Sequence, residues 1–184
     1  MAKTGNERFI LNGKPKDFIL KDFWSWFASD LLDNTLRGTL AEFIVSNALG
    51  VTVPKENWNA YDIKFDKWKI EVKSSAFLQS WSQKRASTIT FSIRPTRAWT
   101  RKDGRAIQAK RQSDMYIFCV LSETDKEKVN PLNLDQWDFY PVLTSVFDQK
   151  HKTQKTIGLA SLKKLCPDKC NYDSLYEAVV GILA

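Results

Sequence analysis

The sequence predicts a single α/β domain, residues 1–184, in which helices flank a central mixed sheet. Three stretches carry that prediction. Apolar residues recur at helical spacing between Leu36 and Ala48. Tyr61–Ser75, YDIKFDKWKIEVKSS, alternates apolar and charged residues with the period of two that half-buried strands require. Met115–Leu121, MYIFCVL, is apolar without a break, as a central strand covered on both faces must be.

From the N-terminus, Phe9–Leu11 reads as a short strand or arm followed by the turn pair Asn12-Gly13. Asp17 is placed to cap a helix in which Phe18, Leu20, Phe23, Trp24, Phe27, Leu31 and Leu32 recur near helical spacing, which predicts packing on the core. The competing use of Trp24, Trp26 and Phe27 is stacking on bases. A break at Asp33-Asn34 lets Asn34 cap a second helix with the stripe Leu36, Leu40, Phe43, Ile44 and Ala48, ended by Gly50. Gly38 would let a neighbouring backbone approach beside Glu42, which on the pattern alone reads as a solvent-facing helix acid. These helices fill 17–49, and strands fill 60–94, the third being Thr88–Arg94, stopped by Pro95. A basic segment, 84–111, includes a loop expected to end in a short helix. In 114–184 the buried strand is followed by a charged connector, Glu123–Asn133, and a strand at Trp137–Val146, where Pro141 predicts an edge or bulge. Helices at Leu159–Leu165 and Ser174–Leu183 close the core.

Hydrophobic residues at 43% and charged residues at 27% describe a folded domain rather than a disordered one. No apolar run is long enough to cross a bilayer and the start MAKTGNERF lacks a signal peptide's apolar stretch, so a cytoplasmic protein with no membrane partner is expected. Cys119, Cys166 and Cys170 do not form a disulfide framework. With His151 they match no common zinc spacing, so they read as ordinary thiols. The net charge of +7 is concentrated in Lys84–Arg111, where Lys84, Arg85, Arg94, Arg97, Arg101, Lys102, Arg105, Lys110 and Arg111 face the single acid Asp103. Such a stretch suits a phosphate backbone. A solvated loop with local ion pairs is the plainer account.

A turn at Asp66-Lys67 would set Phe65 opposite Trp68 and Asp62 opposite Glu71, and partners across a hairpin share a face. Lys73, two residues past Glu71, points the same way. Asp-Lys is not a favoured turn pair, and a shifted turn would change the partner of Asp62 but not the shared face of Glu71 and Lys73. Two repelling carboxylates call for a cation between them. Oxygen donors suit a hard divalent ion, and magnesium takes one or two carboxylates together with water and phosphate. A lysine beside it can orient or deprotonate water, or neutralise charge on a phosphate. On spacing alone, a solvated charge ladder on an exposed strand competes equally. Ser74, Ser75, Gln79, Trp81 and Gln83 follow directly and serve either substrate contact or loop packing.

Asp62 followed by Glu71-x-Lys73 resembles the PD-(D/E)XK nuclease superfamily, with Tyr61 where the motif has Pro. Arg37–Leu49, RGTLAEFIVSNAL, resembles the first helix of archaeal Holliday-junction resolvases, in which a helix Glu, here Glu42, approaches the metal. The resemblance spans residues 37–75 and implies a restriction-endonuclease-like αβββαβ core, although the helix before the last strand has no clear counterpart ahead of Met115. It implies Mg2+, with Mn2+ able to substitute, held by Asp62, Glu71 and the main-chain carbonyl of Val72. Catalysis would fall to Glu42, Asp62, Glu71 and Lys73, with Lys73 activating water. The expected activity is cleavage of DNA to 5′-phosphate and 3′-hydroxyl ends in restriction, phage defence or repair, by a homodimer or within a larger complex. DNA would be held by Lys84, Arg85, Arg94, Arg97, Arg101, Lys102 and Arg105. The alternatives are a nucleic-acid-binding module that does not cut and, more remotely, a structural subunit. A retired site has no physical reason to keep repelling carboxylates.

Overall fold

A computed structural model describes residues 2–55, 59–97, 99–100, 104–150 and 152–184. In chain order the elements are β1 (Arg8–Leu11), β2 (Lys14–Ile19), α1 (Leu20–Phe27), α2 (Asn34–Ala48), β3 (Ile63–Phe65), β4 (Trp68–Ala76) and β5 (Thr90–Ser92). They continue with β6 (Trp99–Thr100), β7 (Gly104–Arg105), β8 (Met115–Leu121), β9 (Trp137–Leu143), α3 (Thr144–Lys150), β10 (Thr156–Gly158), α4 (Leu159–Leu165) and α5 (Tyr172–Leu183).

The α/β class is as expected: a mixed four-stranded sheet in the order β3-β4-β8-β9 lies at the centre. β3 and β4 are antiparallel, β4 and β8 parallel, and β8 and β9 antiparallel. The β3–β4 hairpin takes the expected register, Phe65 opposite Trp68 and Ile63 opposite Ile70. Asp66 turns the chain with φ of 51°, a left-handed conformation that Asp tolerates better than most residues.

Side-chain alternation in β8 explains its unbroken apolar sequence. Met115, Ile117, Cys119 and Leu121 pack on one face with Ala41, Ile44 and Val45 of α2 and Leu175 and Val179 of α5. Tyr116, Phe118 and Val120 pack on the other face with Ile89, Phe91 and Ile93 and with Phe147, Ile157 and Leu162. Pro141 lies opposite Ile117 in β9, the edge strand, where a missing N–H is harmless. The last residues of the expected Trp137–Val146 strand belong to α3.

Other expectations are corrected. The third strand shrinks to β5, which pairs with β10 in a small second sheet, because β3 and β8 already occupy both edges of β4. The crossover from β4 to β8 has no helix among its described residues and contains the short β6–β7 pair instead. Asp17 caps nothing; it lies in β2, 3.7 Å from Arg8, and the Asp22 carboxylate accepts the Ile19 N–H at 2.7 Å. α1 buries none of its residues, so it is not the expected packing helix. Asp33, not Asn34, caps α2, accepting from the N–H groups of Thr35 and Leu36 at 2.9 and 3.1 Å. The buried face of α2 is Arg37, Ala41, Ile44 and Val45, while Phe43 stays 64% exposed. A Cβ on Gly38 would meet nothing within 4 Å, so no close backbone approach explains that glycine. Gly50, with φ of 68°, ends α2 as expected.

Candidate active site

Glu71 and Lys73 lie on the face of β4 opposite Ile70 and Val72, the face that β8 shares through Tyr116 and Phe118. Asp62, just ahead of β3, donates its N–H to the Ile70 carbonyl at 3.0 Å, and its carboxylate accepts the Val72 N–H at 2.8 Å. The N–H and C=O of a residue in a strand point to the same edge, so the Val72 carbonyl also faces the Asp62 side. Lys73 Nζ is 2.5 Å from one Glu71 oxygen, and the Ser113 hydroxyl donates to the other at 3.3 Å. Burial, then the charges of Glu71 and Glu42, push Asp62 up from 3.8 to about 6, against the opposing pull of the Val72 N–H and Lys73. The charges of Glu42, Glu71 and Lys73 are all felt at Asp62. Glu42 is ion-paired with Lys55, a residue that the sequence did not single out.

Asp62, Glu71 and Lys73, but not Glu42, open into a cleft of about 250 Å³. Asp62, Glu71, Lys73 and Tyr116 line it from the sheet, Ser92, Arg94, Thr96 and Gln112 from the crossover, and Asn59, Ala60 and Tyr61 from the loop before β3. Burial and then the Glu71 charge push the Tyr116 phenol up to about 12, so it enters any chemistry protonated. Tyr116 was hidden inside an apolar strand; only its pairing with Glu71 reveals it.

Of the expected DNA contacts whose side chains are described, Arg94 lines the cleft and Lys84, Arg85 and Arg97 are exposed outside it. Arg101 and Lys102 lie outside the described residues, and the Arg105 side chain does too. Arg111, counted with the basic stretch, belongs to the interior: it pairs with Asp148 at 2.7 Å and donates to the carbonyls of Ile93 at 2.8 Å and Gln154 at 3.2 Å. Ser74, Gln79 and Gln83 knit the loop after β4. Arg37 donates to Ser74, Gln79, Asn34 and the Leu32 carbonyl, and Gln83 accepts the Gln79 N–H at 2.6 Å. Trp81 is exposed.

Among the described residues no group of three or more His, Cys, Asp or Glu side chains is arranged to hold a metal ion. Asp62 and Glu71 with one carbonyl form a smaller, all-oxygen donor set, of the kind magnesium completes with water and phosphate. Cys119 and Cys170 are buried, and burial raises both thiols, Cys170 to about 11. No helix among the described residues is long and apolar enough to cross a membrane.

Comparison with known proteins gives one finding. The family model described as Bacteriophage T4 endonuclease IV matches residues 25–161. No curated protein and no solved structure matches the chain. The matched span is well over half of the chain and contains α2, the whole central sheet and the cleft. The chain thus belongs to the bacteriophage T4 endonuclease IV family and is a DNA endonuclease.

Proposed function

We propose that this endonuclease hydrolyses phosphodiester bonds with a divalent cation, magnesium or manganese, leaving 5′-phosphate and 3′-hydroxyl ends in the manner of the PD-(D/E)XK superfamily. The observation that carries this reading is the convergence of Asp62, Glu71 and Lys73 on one cleft, where burial first and then the charges of Glu71 and Glu42 push the Asp62 carboxyl up to about 6. A half-buried carboxyl raised in this way beside other acids is one whose charged form a cation would stabilise. Asp62, Glu71 and the Val72 carbonyl would hold it, and Glu42 would support it. When bound, such an ion polarises a phosphoryl oxygen and acidifies water.

The remaining work falls to the chain itself. Lys73, held at 2.5 Å by Glu71, orients the attacking water and meets negative charge developing on the phosphate. Arg94, entering from the crossover, grips a phosphate, and the protonated Tyr116 donates a hydrogen bond. Ser113 fixes the Glu71 carboxylate from behind.

Plasmid, single-stranded and branched DNA incubated with the protein, with magnesium or with chelator, tests the proposal. Cleavage should require the metal, the nicks should be sealable by a ligase, and Lys73→Ala should slow cutting by about 10²–10⁴-fold. Equal cleavage by wild type and Lys73→Ala overturns the assignment.

A further inference from the structure

The β1–β2 hairpin and α1 stand apart from both the core and the cleft. Neither core cluster takes a residue from before Leu32, no residue before Asn59 lines the cleft, and the family match begins at residue 25. The segment is nonetheless ordered by its own bonds. The N–H groups of Leu20 and Lys21 donate to the carbonyls of Glu7 and Gly5 at 2.9 and 2.8 Å. A two-stranded hairpin is marginal by itself, and this one is exposed along almost its whole length, so its side chains are open to a ligand. The register shifts between Arg8 and Ile10, and side-chain contacts therefore assign its two sides. Phe9 and Phe18 lie on one, their ring centroids 4.6 Å apart, together with Leu11 and its cross-strand partner Lys14. Arg8 and Asp17 meet at 3.7 Å on the other, with Ile10 and its partner Pro15. Lys16 is exposed between Lys14 and Phe18, where the register shifts.

We infer that the side of the hairpin bearing Phe9 and Phe18 is a second DNA-binding site, separate from the cleft, where the two rings stack on unpaired bases and Lys14 and Lys16 hold the flanking phosphates. Charge selects the partner. The segment has five cations, Lys3, Arg8, Lys14, Lys16 and Lys21, and three acids, Glu7, Asp17 and Asp22. All three acids are engaged within it. Glu7 accepts the N–H groups of Thr4 and Gly5, both at 2.9 Å, Asp22 accepts that of Ile19, and Asp17 pairs with Arg8. Of the cations, only Arg8 has a carboxylate within 4.0 Å among the described residues. The aromatic side of the strands thus presents lysine and no acid. A polyanion neutralises such a surface, whereas its own image on a second copy would be repelled. The rings make the second argument. Phe9 is 40% and Phe18 49% exposed, and the flat face of a base covers an open ring whatever the base sequence. An anionic lipid shares the charge of DNA but not that flat face. The inference rests on the chain being a DNA endonuclease and is independent of the metal and of Lys73.

The test is the affinity of the full chain for a labelled single strand and for the same sequence as a duplex, by anisotropy in chelator, with the DNA checked to be intact. No turnover enters, so failure here is distinct from failure of the metal mechanism. Each base–aromatic stack is worth roughly five- to 150-fold in affinity. The double variant Phe9→Ala, Phe18→Ala should therefore weaken binding to the single strand by about tenfold or more and leave binding to the duplex nearly unchanged. Phe9→Tyr, Phe18→Tyr keeps both ring faces and should bind as the wild type does. Lys14→Ala, Lys16→Ala, which removes only exposed side chains, should lower the salt slope on the single strand by about 1.4. Ile10→Ala, on the opposite side of the hairpin, should leave affinity at wild type. Should the alanine pair misfold by circular dichroism, the tyrosine and lysine pairs still decide. An unchanged salt slope in the lysine pair, a tyrosine pair as weak as the alanine pair, or equal losses on single strand and duplex overturns the inference. So does an Ile10→Ala loss as large as that of the alanine pair, which would make the effect one of hairpin folding. Binding to phosphatidylserine vesicles that the lysine pair abolishes, with DNA affinity intact, overturns it too and gives the face to a membrane.

Discussion

The Asp62 carboxylate concentrates the site's chemistry in one titration. Its folded value of about 6 lies above the ordinary 3.8, so the metal-free folded protein binds more protons than the unfolded chain between those limits. Stability must then fall as pH rises from about 4 to about 6, and the full penalty, on the order of 3 kcal/mol, persists at higher pH. Asp62→Asn keeps an acceptor for the Val72 N–H and removes the charge. Urea unfolding in chelator should give nearly equal stabilities for the two proteins near pH 3, with the variant ahead by about 3 kcal/mol at pH 8. Parallel curves at both pH values would remove the electrostatic account of the site. The same pair of proteins separates metal binding from folding. At pH 8, added magnesium should raise the wild-type urea midpoint as a ligand of the native state does, and should move the variant far less.

At the scale of elements, Arg111 ties the crossover to the second sheet. Its side chain is 1% exposed and spans from Ile93, next to cleft residue Arg94, to Asp148 of α3 and Gln154 just before β10. Arg111→Met keeps most of the volume and leaves the carbonyls of Ile93 and Gln154 without this donor. Removing one partner of a buried pair typically costs about 3–5 kcal/mol, and here the figure should lie at the low end because Asp148 is half exposed. Asp148→Asn should cost distinctly less, and the reverse order in urea melts would contradict this anchoring role. Arg111 also marks where the sequence stops being legible. The β3–β4 register and β8 were readable because burial on one face or on two writes itself directly into apolar spacing. Arg37 and Arg111 count as surface charges in any such pattern, and partners 18 to 43 residues away help to make them interior groups. β2 is not legible in the sequence because it is exposed on both faces, so KPKDFI carries no alternation, and its Phe18 merges with the aromatics of α1. The shortened third strand is a topological fact, since nothing in TITFSIR says that both edges of β4 are taken.

For the whole molecule, the charge of +7 becomes useful once Arg111 and Arg37 are assigned to the interior. Among the described residues Lys84, Arg85, Arg97 and Lys110 remain as exposed cations around the crossover, and Arg94 reaches the cleft. Two behaviours should separate them. A lysine or arginine that only neutralises phosphate releases counterions on binding, so its loss weakens DNA affinity and lowers the salt slope by about 0.7–0.9. Lys84→Ala and Arg85→Ala should each do this, measured by anisotropy from low to moderate salt in a Lys73→Ala background that does not cut, while their turnover at saturating DNA in the active background stays at wild type. Arg94→Ala should flatten the slope to the same extent and, in addition, lower turnover by about a hundredfold, because a group beside the scissile phosphate is felt in the transition state as well as in binding. If all three variants shift affinity alone, the cleft is a channel for DNA and the reacting phosphate lies elsewhere. If none changes the slope, the basic stretch is solvated surface, and the electrostatic attraction of DNA must come from another face.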